Sequence, residues 1–198
     1  DNGPRIALAA VIGRFDADSG FDILAEVLTS VLERNIEVVL MGSGKHDIIE
    51  RVKTMEQAFA GRCRLIEGYQ VNSAHTLLGG ADLLILPSHY HSSNALVAIG
   101  MRYGVVPIIY GGSGLEDTVV DYEKDPRRGT GFTFRSYTGD GLLEGIDAAR
   151  KVYKEPGDWR TLAQRCLKQD FSWQATAQNY LKAYRRVTRR VKVVPVEE

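Results

Sequence analysis

The chain has 198 residues, 44% of them apolar and 25% charged, which is enough for one full core and excludes a disordered polypeptide. Lys+Arg and Asp+Glu both number 25, so the net charge is zero. That excludes a nucleic-acid binder drawing its affinity from excess cationic charge, and no apolar run reaches the ~20 residues of a membrane span.

From the N-terminus, Asp1-Asn2-Gly3-Pro4-Arg5 carries neither an initiator Met nor a signal peptide and is read as the cut edge of a larger protein. Continuous apolar runs of strand length then follow at Ile6–Gly13, Ile36–Gly42, Arg64–Gly68, Asp82–Pro87 and Val105–Tyr110, with a weaker one at Gly131–Phe134. Runs apolar throughout, rather than alternating, mark strands covered on both faces. Between them lie segments of helical period. Phe21, Leu24, Val27, Leu28, Val31 and Leu32 recur at steps of three and four, as do Ile48, Ile49, Val52, Met55 and Phe59. Shorter helices fit Ser73–Leu78 and Ser93–Tyr103. The last third reads as three helices with no strand between, at Leu142–Lys154, Asp158–Gln169 and Trp173–Val187, with Ser172 the N-cap of the third. This alternation predicts an α/β fold, a Rossmann-like doubly wound parallel sheet of about six strands, with the three helices packed against its side. Residues 1–187 form the folded lobe and 188–198 a basic-then-acidic tail.

In such a sheet ligands bind beyond the carboxyl ends of the strands. The loops to inspect are Arg14–Gly20, Gly42–His46, Tyr69–Ser73, Ser88–Asn94 and Gly111–Leu115. Most pair Gly or Ser with a helix start, which suits phosphate groups, because helix N-termini present free N–H groups and a positive dipole end. Gly42-Ser43-Gly44 is placed at a strand-to-helix turn. It is neither a dinucleotide fingerprint, since the third Gly is absent, nor a P-loop. A purely structural turn explains it as well.

His89 and His91 form H-x-H, but no Asp, Glu or Cys adjoins them as further ligands. Ligand contact or a solvent-lined loop is favoured over a metal site, and no metal is expected. Ser88, Ser92, Ser93 and Asn94 either cap the next helix or hydrogen-bond a sugar. Arg185, Arg186, Arg189, Arg190 and Lys192 read as a solvated helix end rather than a nucleic-acid surface. Cys63 and Cys166 form no paired framework and read as buried small hydrophobes in a reducing cytosol. Trp159 and Trp173 read as packing residues.

Taken together, collinear landmarks over residues 5–187 resemble the bacterial glycogen synthases and plant starch synthases. Asp170-Phe171-Ser172-Trp173 with Ala177, Tyr180 and Tyr184 is similar to their C-terminal signature. Gly13-Arg14 with Gly20 resembles S-R-L-x-x-Q-K-G, and Leu40–Gly44 resembles L-L-G-x-G. Tyr69 with His75 fits Y-x-E-x-x-x-H, and Gly79–Asp82 with Pro87-Ser88 fits G-G-A-D-x-x-x-x-P-S. Met101–Gly104 with Pro107 fits M-R-Y-G-x-x-P, and Gly114-Leu115 with Asp117–Val119 fits G-G-L-x-D-T-V.

The resemblance implies one lobe of a GT-B fold, the C-terminal lobe that binds a nucleotide sugar, with the N-terminal lobe of the same chain as its missing partner. It implies retaining transfer of a hexose from a nucleoside diphosphate sugar, ADP-glucose or UDP-glucose, to a glucan, with no cofactor, in the cytoplasm or in a plant or algal plastid. The residues it points to are Arg14, Ser19 and His91 at the chemistry. Donor binding falls to Gly13, Gly42, Gly44, Tyr69, Ser92, Ser93, Asn94, Gly112, Ser113, Gly114 and Leu115, with the base on Tyr69 and the diphosphate at Arg14.

Several charged positions depart from the family. Its donor-phosphate Lys falls on Ser19. Its E-P-C-G-L reads His91-Ser92-Ser93-Asn94-Ala95. The two acids of the wider retaining pattern fall on His91 and Ile99, and T-G-G-L reads Gly112-Ser113-Gly114-Leu115. On these departures the nucleoside diphosphate binds weakly and the sugar adds little, and the isolated lobe elongates no glucan. Three functions are weighed: the donor lobe of an active synthase, a catalytically degenerate lobe acting as a binding or regulatory module, and an unrelated oxidoreductase domain. The defective G-x-G-x-x-G counts against the last.

Overall fold

The computed structural model describes residues 6–90 and 93–188. Six strands form one wholly parallel sheet: β1 (Ala7–Phe15), β2 (Ile36–Gly44), β3 (Cys63–Glu67), β4 (Leu83–Leu86), β5 (Val106–Tyr110) and β6 (Phe132–Phe134). Their order is β3-β2-β1-β4-β5-β6, so the chain reverses its winding between β1 and β4. The connecting helices are α1 (Phe21–Glu33), α2 (His46–Ala58), α3 (Val71–Gly80) and α4 (Ala95–Arg102). Then α5 (Gly139–Tyr153), α6 (Pro156–Leu167) and α7 (Trp173–Thr188) follow without an intervening strand. This is the doubly wound α/β, Rossmann-like architecture that the strand–helix alternation predicts.

The reason for the element types is visible in what they bury. All four residues of β4 are buried, as are the first four of β5. The central strands therefore need apolar side chains on both faces. Helix α1 buries Phe21, Leu24, Val27, Leu28, Val31 and Leu32 on its sheet-facing stripe. Thr138 caps α5, its Oγ1 accepting from the Gly141 N–H at 3.1 Å, and Pro156 opens α6 at a position where its missing N–H costs nothing.

The chain divides into two compact units, one through Lys168 and one from Gln169 that contains α7. The first holds the sheet, α1–α6 and the whole core. In it Trp159 is buried and meets Tyr153 edge-on at 4.9 Å. In the second, Ser172 Oγ accepts from the Ala175 N–H at 3.3 Å, as an N-cap does, while Trp173 is exposed. The predicted tail beyond Thr188 lies outside the described residues.

Two strands run further than their apolar patterns suggest. β1 continues through Arg14 to Phe15, and Gly42-Ser43-Gly44 is the end of β2 rather than a turn opening α2. The parallel ladder persists because Gly13, Arg14 and Phe15 pair with Gly42, Ser43 and Gly44. A Cβ on Gly42 would lie 1.8 Å from the Gly13 carbonyl oxygen, so only glycine lets the strands stay this close. The glycines here allow close strand contact in extended pairing, not a strand-to-helix turn.

Candidate functional site

Two neighbouring cavities open at the carboxyl end of the sheet. The larger, of about 600 Å³, sits between the ends of β1 and β4, where the strand order reverses. That is where an open α/β sheet holds its ligands. Its walls include Gly13, Arg14, Asp18, Ser19, Ser88 and His89. The second, of about 380 Å³, adjoins β1, β2 and the start of α4, and Gly13, Arg14, Gly42, Ser43, Tyr69 and Ile99 line it. Gly13 and Arg14 belong to both.

Local structure explains how these side chains are held. The Asp16–Gly20 loop turns on itself: the Ser19 N–H donates to Asp16 Oδ1 at 2.9 Å and the Gly20 N–H to the Ala17 carbonyl at 2.9 Å. Gly20 has φ +76°, and a Cβ there would lie 2.1 Å from the Pro87 carbonyl oxygen. The loop after β1 is thus pressed against the exit of β4, and the His89 N–H donates to the Asp18 carbonyl at 3.1 Å.

An aromatic cluster packs around His89. The His89 ring lies nearly parallel to Tyr110 at 5.8 Å and meets Tyr137 edge-on at 4.6 Å. The Tyr137 hydroxyl donates to the Ala17 carbonyl at 3.0 Å. Burial, with the carboxylates of Asp22 and Asp18 nearby, pushes the Tyr137 phenol up to about 12, so it remains a donor at neutral pH. Asp22 Oδ1 is buried with no hydrogen-bond partner.

Arg14 is largely exposed and its Nε reaches Asp16 Oδ2 at 3.2 Å. Such a pair is solvent-screened and leaves the guanidinium free to meet an anion. Tyr69, just past β3, is 61% exposed, a flat ring with one face to solvent. His75, quoted for the same motif, pairs with Tyr103, Nδ1 to hydroxyl at 2.9 Å.

The candidates therefore sort unequally. Gly13, Arg14, Ser19, Gly42 and Tyr69 gather around the two cavities. Gly44 ends β2, with its Cβ position filled by the Phe15 backbone. Ser93 Oγ accepts from the Ala95 N–H at 3.2 Å and the Asn94 amide donates to Thr118 Oγ1 at 3.2 Å, so both are engaged at the start of α4. In Gly112-Ser113-Gly114-Leu115 the two glycines are exposed and the other two residues turn inward. Ser113 and Leu115 are buried, and Ser113 Oγ donates to the Tyr110 carbonyl at 2.7 Å and accepts from the Leu115 N–H at 3.4 Å. His91 and Ser92 lie outside the described residues.

The cavities also bring in residues that the loop pattern did not single out. Asp18 is one, and Tyr90, 71% exposed, lines the larger cavity as well. Their signal was adjacency alone, Asp18 beside Ser19 and Tyr90 between the two histidines of H-x-H. Among the described residues no group of three His, Cys, Asp or Glu side chains is placed to hold a metal ion, and no helix is long and apolar enough to cross a membrane.

Residues 7–150 match a family model described as glycosyl transferases group 1. A glycogen synthase from Marinobacter nauticus is 36% identical over 179 residues, covering 90% of this chain and 37% of that protein. One from Desulfitobacterium hafniense is 34% identical over 184 residues, covering 92% and 39%. The chain thus spans about two-fifths of the length of these relatives. Among solved structures, the catalytic domain of starch synthase IV from Arabidopsis thaliana, bound to ADP and acarbose, superposes with a TM-score of 0.82 at 28% identity, over 96% of this chain and 40% of that one. Sucrose-phosphate synthase from Thermosynechococcus elongatus shares the fold, with a TM-score of 0.67 at 20% identity over 96% of this chain and 47% of that one.

Proposed function

Since the chain belongs to the group 1 glycosyl transferases, of the glycogen and starch synthase kind, we propose that it is the donor-binding lobe of a retaining hexosyltransferase. Its substrate is a nucleoside diphosphate hexose, ADP-glucose or UDP-glucose, and its acceptor a glucan. The observation that carries this reading is the convergence of Arg14, Gly13 and Tyr69 on one cavity at the carboxyl end of the sheet. A cation, close backbone and a flat exposed ring are what a nucleoside diphosphate needs. The ADP of the starch synthase structure supports the same ligand class.

The chemistry follows from charge. Breaking the bond between hexose and diphosphate leaves negative charge growing on the phosphate oxygen. A preorganised cation and N–H donors beside that oxygen lower the barrier. Arg14 is the cation here, and the start of α4 adds the positive end of its dipole. On this reading a second lobe supplies the acceptor face, as the greater length of the relatives suggests.

A degenerate lobe that binds nucleotide without transfer is the second reading, favoured by what lines the cavities. Ser19 stands where the family has a Lys, and Ile99 presents an apolar side chain where the wider pattern has an acid. Calorimetric titration of ADP and UDP into the 198-residue chain tests the shared part of both readings. Binding near the millimolar range, about −4 kcal/mol, is expected, weakened in Tyr69→Ala and Arg14→Ala. Equal heats for all three proteins would remove both residues from the site. In the full-length protein, a Ser19→Lys, His91→Glu double change that raises transfer selects the enzyme with a weakened site. No response selects either a different donor or the degenerate lobe.

A further inference from the structure

Resting on that reading, we propose that Asp18 and His89 form the hexose-recognition pair of this chain, in place of the acids absent at His91 and Ile99. Both residues line the cavity at the strand-order switch, and the His89 N–H bond to the Asp18 carbonyl fixes the two residues against each other.

Three observations support the assignment. First, the imidazole is oriented, since Tyr110 stacks on it and Tyr137 meets it edge-on. A ring held on two sides keeps its polar edge in one direction, which reduces the entropy lost on binding. Second, the loop carrying Asp18 is fixed by the Tyr137 hydroxyl on Ala17 and by the contact of Gly20 with Pro87. Third, Asp18 is exposed, and among the described residues no side chain pairs with its carboxylate.

The chemistry fits a hexose better than a phosphate. A carboxylate only accepts, and it repels a second anion. A sugar hydroxyl donates to it and in turn bonds the imidazole, which offers a donor and an acceptor in its neutral form. Ser19 and Ser88 add hydroxyls to the same wall. The diphosphate then falls to Arg14, which belongs to both cavities, with the base towards Tyr69 and the hexose towards the β1–β4 switch. The expectation that sugar adds little affinity rests on the departures at Ser19, His91 and Ile99, and this pair reverses it.

The test is calorimetric titration of ADP and UDP, each with and without its glucose, and of maltotriose, into the 198-residue chain. The variants are Asp18→Ala, His89→Phe, which keeps the stack but loses the polar edge, and His89→Gln, which keeps hydrogen bonding but loses the stack. The wild-type chain should bind one glucosylated nucleotide about tenfold more tightly than the bare nucleotide. Asp18→Ala and His89→Phe should bring that ratio to about one while the affinity for bare nucleotide stays unchanged, and His89→Gln should retain part of it. A loss seen with maltotriose instead supports the pair and assigns it to the acceptor glucan. Nucleotide binding with a ratio of one and no maltotriose binding in the wild type overturns the pair and spares the underlying reading. A ratio unmoved by either variant does the same. Absence of all binding overturns both. If His89→Phe unfolds, as near-ultraviolet circular dichroism would reveal, the exposed Asp18 variant decides alone.

Discussion

The two ends of the sheet differ in how they treat polar groups. At the amino end, polar side chains close on one another. Asp82 Oδ2 accepts from the Leu8 N–H and from the Tyr153 hydroxyl, both at 3.1 Å. Arg34 forks onto both oxygens of Asp147 at 2.9 and 3.1 Å, and its charge is held more firmly by that pairing. At the carboxyl end, Arg14, Asp18 and Tyr69 are exposed around open cavities. Satisfied groups hold the fold, while groups left open have interaction energy to spend on a ligand. The contrast assigns stability to one end and recognition to the other.

The largest expected effect comes from the one place where the carboxyl end is itself rigid. Gly20→Ala puts a Cβ into left-handed backbone and onto the Pro87 carbonyl, which should destabilise by about 3 kcal/mol. The melting temperature should fall by about 6–12 °C, and the added affinity of a glucosylated nucleotide should fall with it because Asp18 and His89 shift together. A melting temperature within a degree of wild type would show that the two loops are not packed as described. Next comes Asp82→Ala at the opposite end. It strands the Leu8 N–H, while the Tyr153 hydroxyl keeps the Ile6 carbonyl at 3.2 Å, a cost of about 1–2 kcal/mol by denaturant unfolding, with nucleotide affinity unchanged. A loss of affinity in this variant would break the division between the two ends.

How much of this was legible beforehand follows the same division. The six strands, seven helices and the parallel sheet could be read because buried strands leave uninterrupted apolar runs and α1 repeats its apolar positions at helical steps. The ends of β1 and β2 could not. Arg14 and Ser43 are polar and sit among glycines, and their strand character comes from pairing with each other, a non-local fact. Tyr69 and Arg14 were readable as site candidates from strand ends and motif likeness. His89 was readable only as half of an H-x-H loop pair open to ligand contact, and Asp18 not at all, since what joins them is a backbone bond across 71 positions and a tyrosine, Tyr137, that reaches back from before α5. Ser113 is the converse case. A Ser between glycines looks available, yet its hydroxyl is used within the loop.

Smaller, and confined to binding, is the effect of Tyr69→Ala. The ring is 61% exposed, so its removal should leave the unfolding midpoint unchanged. Losing one base-stacking face should weaken ADP or UDP binding by ~1–3 kcal/mol, read by titration calorimetry. A shifted midpoint with unchanged affinity would place Tyr69 among the structural residues and move the base elsewhere.

The smallest effect at working pH concerns the two thiols, which probe how tightly the amino end and the helical flank are sealed. Cys63 opens β3 and Cys166 lies in α6, both buried. Burial pushes Cys63 up to about 11, with Glu56 adding to it, and Cys166 up to about 12. In the unfolded chain both ionise near 9. Below that pH neither state loses a proton, so the thiols impose no pH dependence. Above it the unfolded state ionises while the folded state does not, so stability falls as the pH rises from 9 towards 11–12. At pH 9 the loss should be only about 0.4 kcal/mol for each thiol, seen as a small drop in the urea midpoint between pH 7 and pH 9 that disappears in a Cys63→Ala, Cys166→Ala protein. The two sites should differ in alkylation. Cys63 lines a cavity of about 300 Å³ at the amino end with Glu37, Glu56, Arg62 and Arg64, whereas Cys166 Sγ donates to the Thr130 carbonyl at 3.1 Å inside the core. Iodoacetamide at pH 8 should therefore label Cys63 slowly and Cys166 only on global unfolding. Equal rates at the two positions would mean that the amino end opens no more readily than the core, and the contrast between the ends would then rest on recognition alone.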